Sequence, residues 1–226
     1  MQEGHIRESF LKEILKKLPI INKKFNSWDE EYASPHSLQT RFLMLWTHAP
    51  LIEAVRRFNP VDVAEVGAGE GLISTTLSWM GYKVMVIDNN RGVIDEATAY
   101  AQKDGGKQTI QYGDALKVET MPEVDVYVSH GVLEHFNDDQ ICRIIDNMLA
   151  KSRKGIAFCV PSIWYFPWWA NARHMPLSSW KRILKKYDME LRYYGELKPL
   201  TIGHKILSLL GYRNNFILGV IPKQKS

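Results

Sequence analysis

The stretch Val61-Asp62-Val63-Ala64-Glu65-Val66-Gly67-Ala68-Gly69-Glu70-Gly71 sets a short apolar run directly before glycines at every second position. The run has the length of a strand, and the glycines allow a tight turn whose backbone can approach a ligand without side-chain obstruction. Working outward, a helical pattern follows through Met80, then a strand at Lys83–Asp88 and a helix at Arg91–Lys103. Strands are expected at Gln108–Tyr112, Val124–Ser129 and Gly155–Val160, with a helix at Asp138–Ala150 before the last of these. Leu177–Tyr187 reads as a helix, and Glu190–Tyr194 and Asn215–Ile221 as late strands. Strands alternating with helices predict an α/β fold, a doubly wound and mainly parallel sheet covered on both faces.

Upstream of the turn the texture is helical. Ile6, Phe10, Leu11, Ile14, Leu15 and Leu18 recur at helical spacing until Pro19, and Ser37–Phe58 forms a second helical region with a break expected near Pro50. Lys23 to Pro35 reads as irregular. The chain therefore divides into an N-terminal helical cap, residues 1–58, and a Rossmann-like domain, residues 59–226.

With 45% hydrophobic and 24% charged residues, the 226-residue chain can bury a sizeable core, which excludes wholesale disorder. Two cysteines make no disulfide framework, and no CxxC or Cys/His spacing suggests zinc, so no metal is expected. Charged residues interrupt the N-terminal apolar positions, and no run approaches the roughly 20 apolar residues of a membrane span. A reduced, cytoplasmic setting is the expectation. Charge is split: residues 1–150 hold 15 Lys and Arg against 22 Asp and Glu, whereas residues 151–226 hold 14 against 3. The basic end either meets an anionic partner or solvates a helix; both readings stay open.

Ligands of doubly wound sheets sit beyond the carboxyl ends of the strands, so those ends carry the chemistry. The first turn has Leu72 where a dinucleotide fingerprint needs its third glycine, and it has no Walker lysine. The second strand ends in Asp88, placed to accept the hydroxyls of a ribose, with a helix cap as the alternative role. Tyr112-Gly113-Asp114-Ala115 ends the third strand, and Ser129-His130-Gly131-Val132-Leu133-Glu134-His135 the fourth.

Over Asp62 to Pro161 these four markers, in this order, resemble the class I S-adenosylmethionine-dependent methyltransferases, in the branch with an E-x-G-x-G-x-G turn and a VLEH segment. The resemblance implies the strand order 3-2-1-4-5-7-6 with strand 7, Asn215–Ile221, antiparallel. It implies that Glu65, Gly67, Ala68 and Gly69 line the methionine part of S-adenosyl-L-methionine. Asp88 would hold the ribose with Asn89 beside the adenine, Asp114 and Ala115 would meet the adenine, and Ser129 and His130 would lie near the sulfonium. Glu134 and His135 would orient the loop. The physical chemistry agrees: a ligand with ribose, adenine and a sulfonium but no phosphate suits two acids, an open glycine turn and an acidic half.

The implied reaction is methyl transfer to O or N of a small aromatic, amphiphilic or anionic acceptor. His130, by its motif position, and His174, in the segment after the fifth strand, are the candidate bases, each with a packing role as the alternative. Cys142 and Cys159 read as buried, small and apolar. The run Trp164-Tyr165-Phe166-Pro167-Trp168-Trp169 leads to Arg173 and His174. Trp164, Tyr165, Trp168, Arg173 and His174 are expected to bind the acceptor, with an oligomer contact or local cluster as the alternative. Nucleic-acid or protein methylation through the basic region, and cofactor binding without turnover, remain the competing functions. The strand-four exit lacks the N/D-P-P-Y/F element of amino-directed nucleic-acid methyltransferases, which disfavours the first.

Overall fold

A computed structural model describes residues 22–23, 38–67, 69–163, 165, 168–169, 171–194 and 215–224. The expected helix at residues 6–18 lies outside them. The strands are β1 (Asn22–Lys23), β2 (Asp62–Val66), β3 (Lys83–Asp88), β4 (Thr109–Tyr112), β5 (Val124–His130), β6 (Ser152–Pro161), β7 (Trp168–Trp169), β8 (Glu190–Tyr194) and β9 (Phe216–Pro222). The helices are α1 (Leu38–Arg57), α2 (Leu72–Trp79), α3 (Arg91–Lys103), α4 (Asp138–Lys151) and α5 (Leu177–Ile183).

Seven strands form one sheet in the order β4-β3-β2-β5-β6-β9-β8, which is the expected 3-2-1-4-5-7-6. Strands β2 to β6 pair in parallel, and β9 runs antiparallel to both β6 and β8. A separate parallel pair joins β1 to β7, with Asn22 opposite Trp168.

Central strands are apolar on both faces because helices cover both. In β5, Val126 and Val128 face a core shared with Leu51 and Val55 of α1, Leu77 of α2 and Val93 of α3. Tyr127, between them, faces the opposite core with Ile141, Ile144 and Ile145 of α4 and Trp180 of α5. At the amino ends of the strands, Arg153 reaches Asp62 at 2.5 Å and Asp125 at 2.8 Å, while Val61 N–H donates to Asp125 Oδ2 at 2.8 Å. These contacts tie β2, β5 and β6 in register, leaving the carboxyl ends for chemistry.

Helix starts follow from local side chains. Asn90 caps α3 by accepting from Gly92 and Val93, and Asn137 with Gln140 closes a capping box on α4. Two expectations shift. Pro50 sits inside a continuous α1, costing it one backbone hydrogen bond while Leu51, Ala54 and Val55 are buried just beyond it. The helix expected over Leu177–Tyr187 ends at Ile183, with Leu184 as its cap and the Tyr187 hydroxyl turned to Asp146 at 2.8 Å.

Candidate active site

Four strand ends converge. At the end of β2, Glu65 is buried, and its Oε2 accepts from Ser74 N–H at 3.0 Å. Gly71, the N-cap of α2, offers no side-chain cap, so Glu65 supplies one from the neighbouring strand. Burial, together with the nearby charge of Asp88, pushes the Glu65 carboxyl up to about 8 against the lowering effect of Ser74. Gly67 donates to the Ile87 carbonyl at 2.9 Å with φ +83°. A Cβ there would stand 2.4 Å from Val132 Cγ2, so the turn needs glycine both for its dihedral and for the close approach of the loop after β5. Gly69 is described in the same turn; Ala68 lies outside the described residues.

At the end of β3, Asp88 Oδ1 accepts from Asn90 N–H at 2.8 Å. The helix cap proposed for Asp88 is supplied by Asn90 instead, so the Asp88 carboxylate is oriented by the turn but not consumed as a cap. Asn89 beside it is exposed. Gly113 N–H donates to the Asp88 carbonyl at 2.9 Å, which draws the β4 exit against that of β3. Asp114 Oδ1 accepts from Leu116 N–H at 3.0 Å, and Lys117 Nζ stands 3.6 Å from Oδ2. Ala115 is buried, its carbonyl held by Asn147.

At the end of β5, Ser129 is buried and its Oγ has no hydrogen-bond partner among the described residues. Glu134 is 1% exposed, its Oε2 likewise without a partner, and burial pushes its carboxyl up to about 8. Uncompensated buried polar atoms are costly, which makes Ser129 Oγ and Glu134 Oε2, both at or just after the end of β5, candidate contacts for a polar ligand.

The segment after β6 folds back over this end. Arg173 N–H donates to the Glu134 carbonyl at 2.9 Å, Nη1 to the Phe136 carbonyl at 2.7 Å, and Nη2 to Asp138 at 2.5 Å. His135 Nδ1 meets the Asn171 carbonyl at 3.0 Å. Arg173 therefore acts as a brace between this segment and the VLEH loop. His174 is buried and stacks on Tyr165, ring centroids 5.8 Å apart, while Tyr165 also contacts Phe216 at 5.1 Å. Trp164 lies outside the described residues, and Trp168 is placed by its backbone in β7.

A polar cluster absent from any sequence spacing lies between α1 and the sheet. His130 and Cys159 are register partners on β5 and β6, His48 comes from α1 and Tyr194 from β8. His130 Nε2 lies 2.9 Å from His48 Nε2, His48 Nδ1 2.9 Å from the Tyr194 hydroxyl, and that hydroxyl donates to Cys159 Sγ at 2.6 Å. One proton assignment satisfies all three contacts. Tyr194 donates to sulfur, so it accepts from His48 Nδ1–H; His48 Nε2 then accepts from His130 Nε2–H, leaving the lone pair of His130 on Nδ1. Burial lowers both imidazoles, His130 to about 4 and His48 well below its ordinary value, so both rings are neutral at physiological pH.

Residues 30–161, more than half of the chain, match the sequence model of the family described as tellurite resistance protein TehB. The chain belongs to the TehB family. Its fold is that of the class I S-adenosylmethionine-dependent methyltransferases. TehB from Haemophilus influenzae superposes with a TM-score of 0.54 at 19% identity, over 79% of this chain and 62% of that one. Magnesium protoporphyrin IX methyltransferase from Synechocystis, with S-adenosylhomocysteine bound, superposes at 0.58 and 14% identity, covering 83% and 89%. In sequence, a ubiquinone biosynthesis O-methyltransferase of Rickettsia canadensis is 32% identical over 82 residues, 36% of this chain and 35% of that relative. The chain thus spans about a third of the length of that curated relative.

S-adenosyl-L-methionine is the cofactor of this class, and the strand ends fit it. The turn at Gly67 is narrow enough to let the loop after β5 pack against it, two carboxylates sit at adjacent strand exits, and among the described residues the buried Ser129 Oγ and Glu134 Oε2 have no partner. Nothing in the donor set calls for a phosphate group. Among the described residues no helix is long and apolar enough to cross a membrane.

Proposed function

We propose that the protein transfers the methyl group of S-adenosyl-L-methionine to an oxygen of a small, amphiphilic acceptor. The observation that carries this reading is the convergence of the Gly67 turn, Asp88, Asp114 and the β5 exit at one end of the sheet. The curated relatives named as O-methyltransferases support oxygen over nitrogen. The aromatic segment after β6, with Tyr165 stacked on His174, supports an acceptor with an apolar body.

The cofactor, when bound, supplies a methyl group already activated by its sulfonium charge. Asp88 holds the ribose diol by charge-assisted hydrogen bonds, Asp114 and Ala115 the adenine, and Glu65 with Gly67 and Gly69 the amino-acid end. Alignment of acceptor and methyl supplies much of the rate. His130 takes the acceptor proton at Nδ1, a role supported by the hydrogen-bond chain through His48 and Tyr194 when His130 carries its proton on Nε2. His174, buried against Tyr165, positions the acceptor.

Calorimetric titration with S-adenosylmethionine and S-adenosylhomocysteine, with NAD as control, tests the cofactor. Micromolar binding of the first two and none of NAD is expected; binding of NAD alone would overturn the reading. Incubation with methyl-labelled cofactor and fractionated cell extract then tests the acceptor class. Label confined to macromolecules would refute a small acceptor.

A further inference from the structure

Beyond the methyl-transfer reading, the cluster between α1 and the sheet has the composition of a metal centre. The ligating atoms of His48, His130 and Cys159 all lie within 4.8 Å of one another, drawn from α1, β5 and β6. We propose that His48 Nε2, His130 Nε2 and Cys159 Sγ bind a divalent cation of the zinc class, with Tyr194 as the outer partner of both His48 and Cys159.

The donor set selects the ion. Two imidazoles and one sulfur, with no carboxylate among them, favour borderline-soft cations over magnesium or calcium. Three protein ligands leave a fourth position, and His130 is the one ligand that is only half-buried, so that position opens on the strand-end side. His48 and Cys159 are 3% and 1% exposed, which gives the site a dry floor.

Second-sphere contacts are in place. A ligating histidine typically donates its other N–H to a neighbour that fixes its orientation, and His48 Nδ1 does so to Tyr194 at 2.9 Å. The Tyr194 hydroxyl in turn donates to the sulfur, as it would to a thiolate. The two Nε2 atoms aim at each other at 2.9 Å, and His48 Nδ1 is 3.9 Å from sulfur. Zinc–nitrogen bonds of about 2.0–2.1 Å need a nitrogen–nitrogen edge of about 3.3 Å, a few tenths more than the hydrogen-bonded contact. Small ring movements convert the chain into a coordination sphere.

The protons balance as follows. Both imidazoles are neutral, so neither loses a net proton; the one on His130 Nε2 moves to Nδ1. A free thiol is protonated at neutral pH, and the Cys159 proton leaves to solvent as the metal–sulfur bond forms. One proton is released per ion. The ion also fixes a proton on His130 Nδ1, so the loaded form lacks the lone pair that the transfer step uses.

The test uses the full chain after dialysis against a chelator. Titration with zinc chloride in buffers of different ionisation enthalpy is expected to give one ion and one released proton per chain. Cobalt chloride is expected to give an intense thiolate-to-metal absorption in the near ultraviolet, and magnesium chloride no heat. Cys159→Ser is expected to abolish that absorption, Tyr194→Phe to weaken binding by about 10–100-fold, and Cys142→Ser to change neither. Absence of the absorption in the parent protein, which requires no variant to fold, would overturn the proposal. So would zinc affinity undiminished in Cys159→Ser.

Discussion

Replacement of Gly67 by alanine tests the turn on which the cofactor reading depends. The new Cβ would sit 2.4 Å from Val132 Cγ2, over 1 Å inside an ordinary carbon–carbon contact of about 3.5–4.0 Å. The backbone there has φ +83°, a conformation costing an L-residue about 1–2 kcal/mol. Overpacking adds about 1–3 kcal/mol, so Gly67→Ala is expected to lose about 2–5 kcal/mol. Urea unfolding followed by circular dichroism gives the stability, and calorimetry gives cofactor affinity, which falls with the displaced backbone. The double variant with Val132→Ala separates the two effects. It relieves the collision and leaves the dihedral cost, so a coupling energy of about 1–3 kcal/mol is expected between the sites. A Gly67→Ala protein within about 0.5 kcal/mol of the parent would refute the reasoning. Strict additivity in the double variant would show that the two side chains do not meet.

Other expectations address the carboxylates. Removing Asp88 deletes charge-assisted hydrogen bonds worth roughly 1.5–3 kcal/mol each, so Asp88→Ala should weaken S-adenosylmethionine binding by tenfold or more. Unchanged affinity in calorimetry would reassign the end of β3. Glu65, raised to about 8 from an unfolded value near 4, contributes stability that is present at low pH and lost as pH rises toward 8. Relative to the parent, Glu65→Gln should lose one descending contribution to the melting temperature between pH 5 and 8, on a background that Glu134 lowers and that the depressed His48, His130 and His135 raise up to about pH 6.5. At the other end of the sheet, burial would raise Asp125, but Val61 N–H, Lys154 and Arg153 outweigh it and hold the carboxyl at about 2. That stability is present above pH 4 and lost as pH falls through 2. Asp125→Asn should abolish this acid transition in a pH-dependent melt, and an unchanged acid limb would exclude Asp125 as its source.

The strands and the strand-end acids were legible because both depend on short-range pattern, apolar runs closed by Gly67, Asp88, Asp114 and Ser129, whereas the strand order came with the family resemblance. A parallel sheet buried on both faces leaves such runs nearly unbroken, and its ligand site is fixed by topology. Arg173 shows what sequence position leaves out. Its place in the chain suggested a group available to an anion, whereas its guanidinium is bound to Phe136 and Asp138. The cluster of His48, His130, Cys159 and Tyr194 had no signature at all. Its members lie in four separate elements, and only the register of His130 against Cys159 and the packing of α1 bring them together. Cys159 alone looked like an apolar filler because in composition it is one.

The order of the strands has a consequence for the growing chain. Among the described residues strand β8 pairs only with β9, yet it leaves the ribosome earlier and must wait beside an incomplete sheet. Strand β9 then inserts between β6 and β8 as an interior strand, with Phe158 packed over Gly219, where a Cβ would come within 2.1 Å of the ring. Residues 190–194 therefore remain an unpaired edge until residues 216–222 have been synthesised. During that interval Tyr194 has no sheet to hold it beside Cys159, so the buried polar cluster can form only after the last strand is in place.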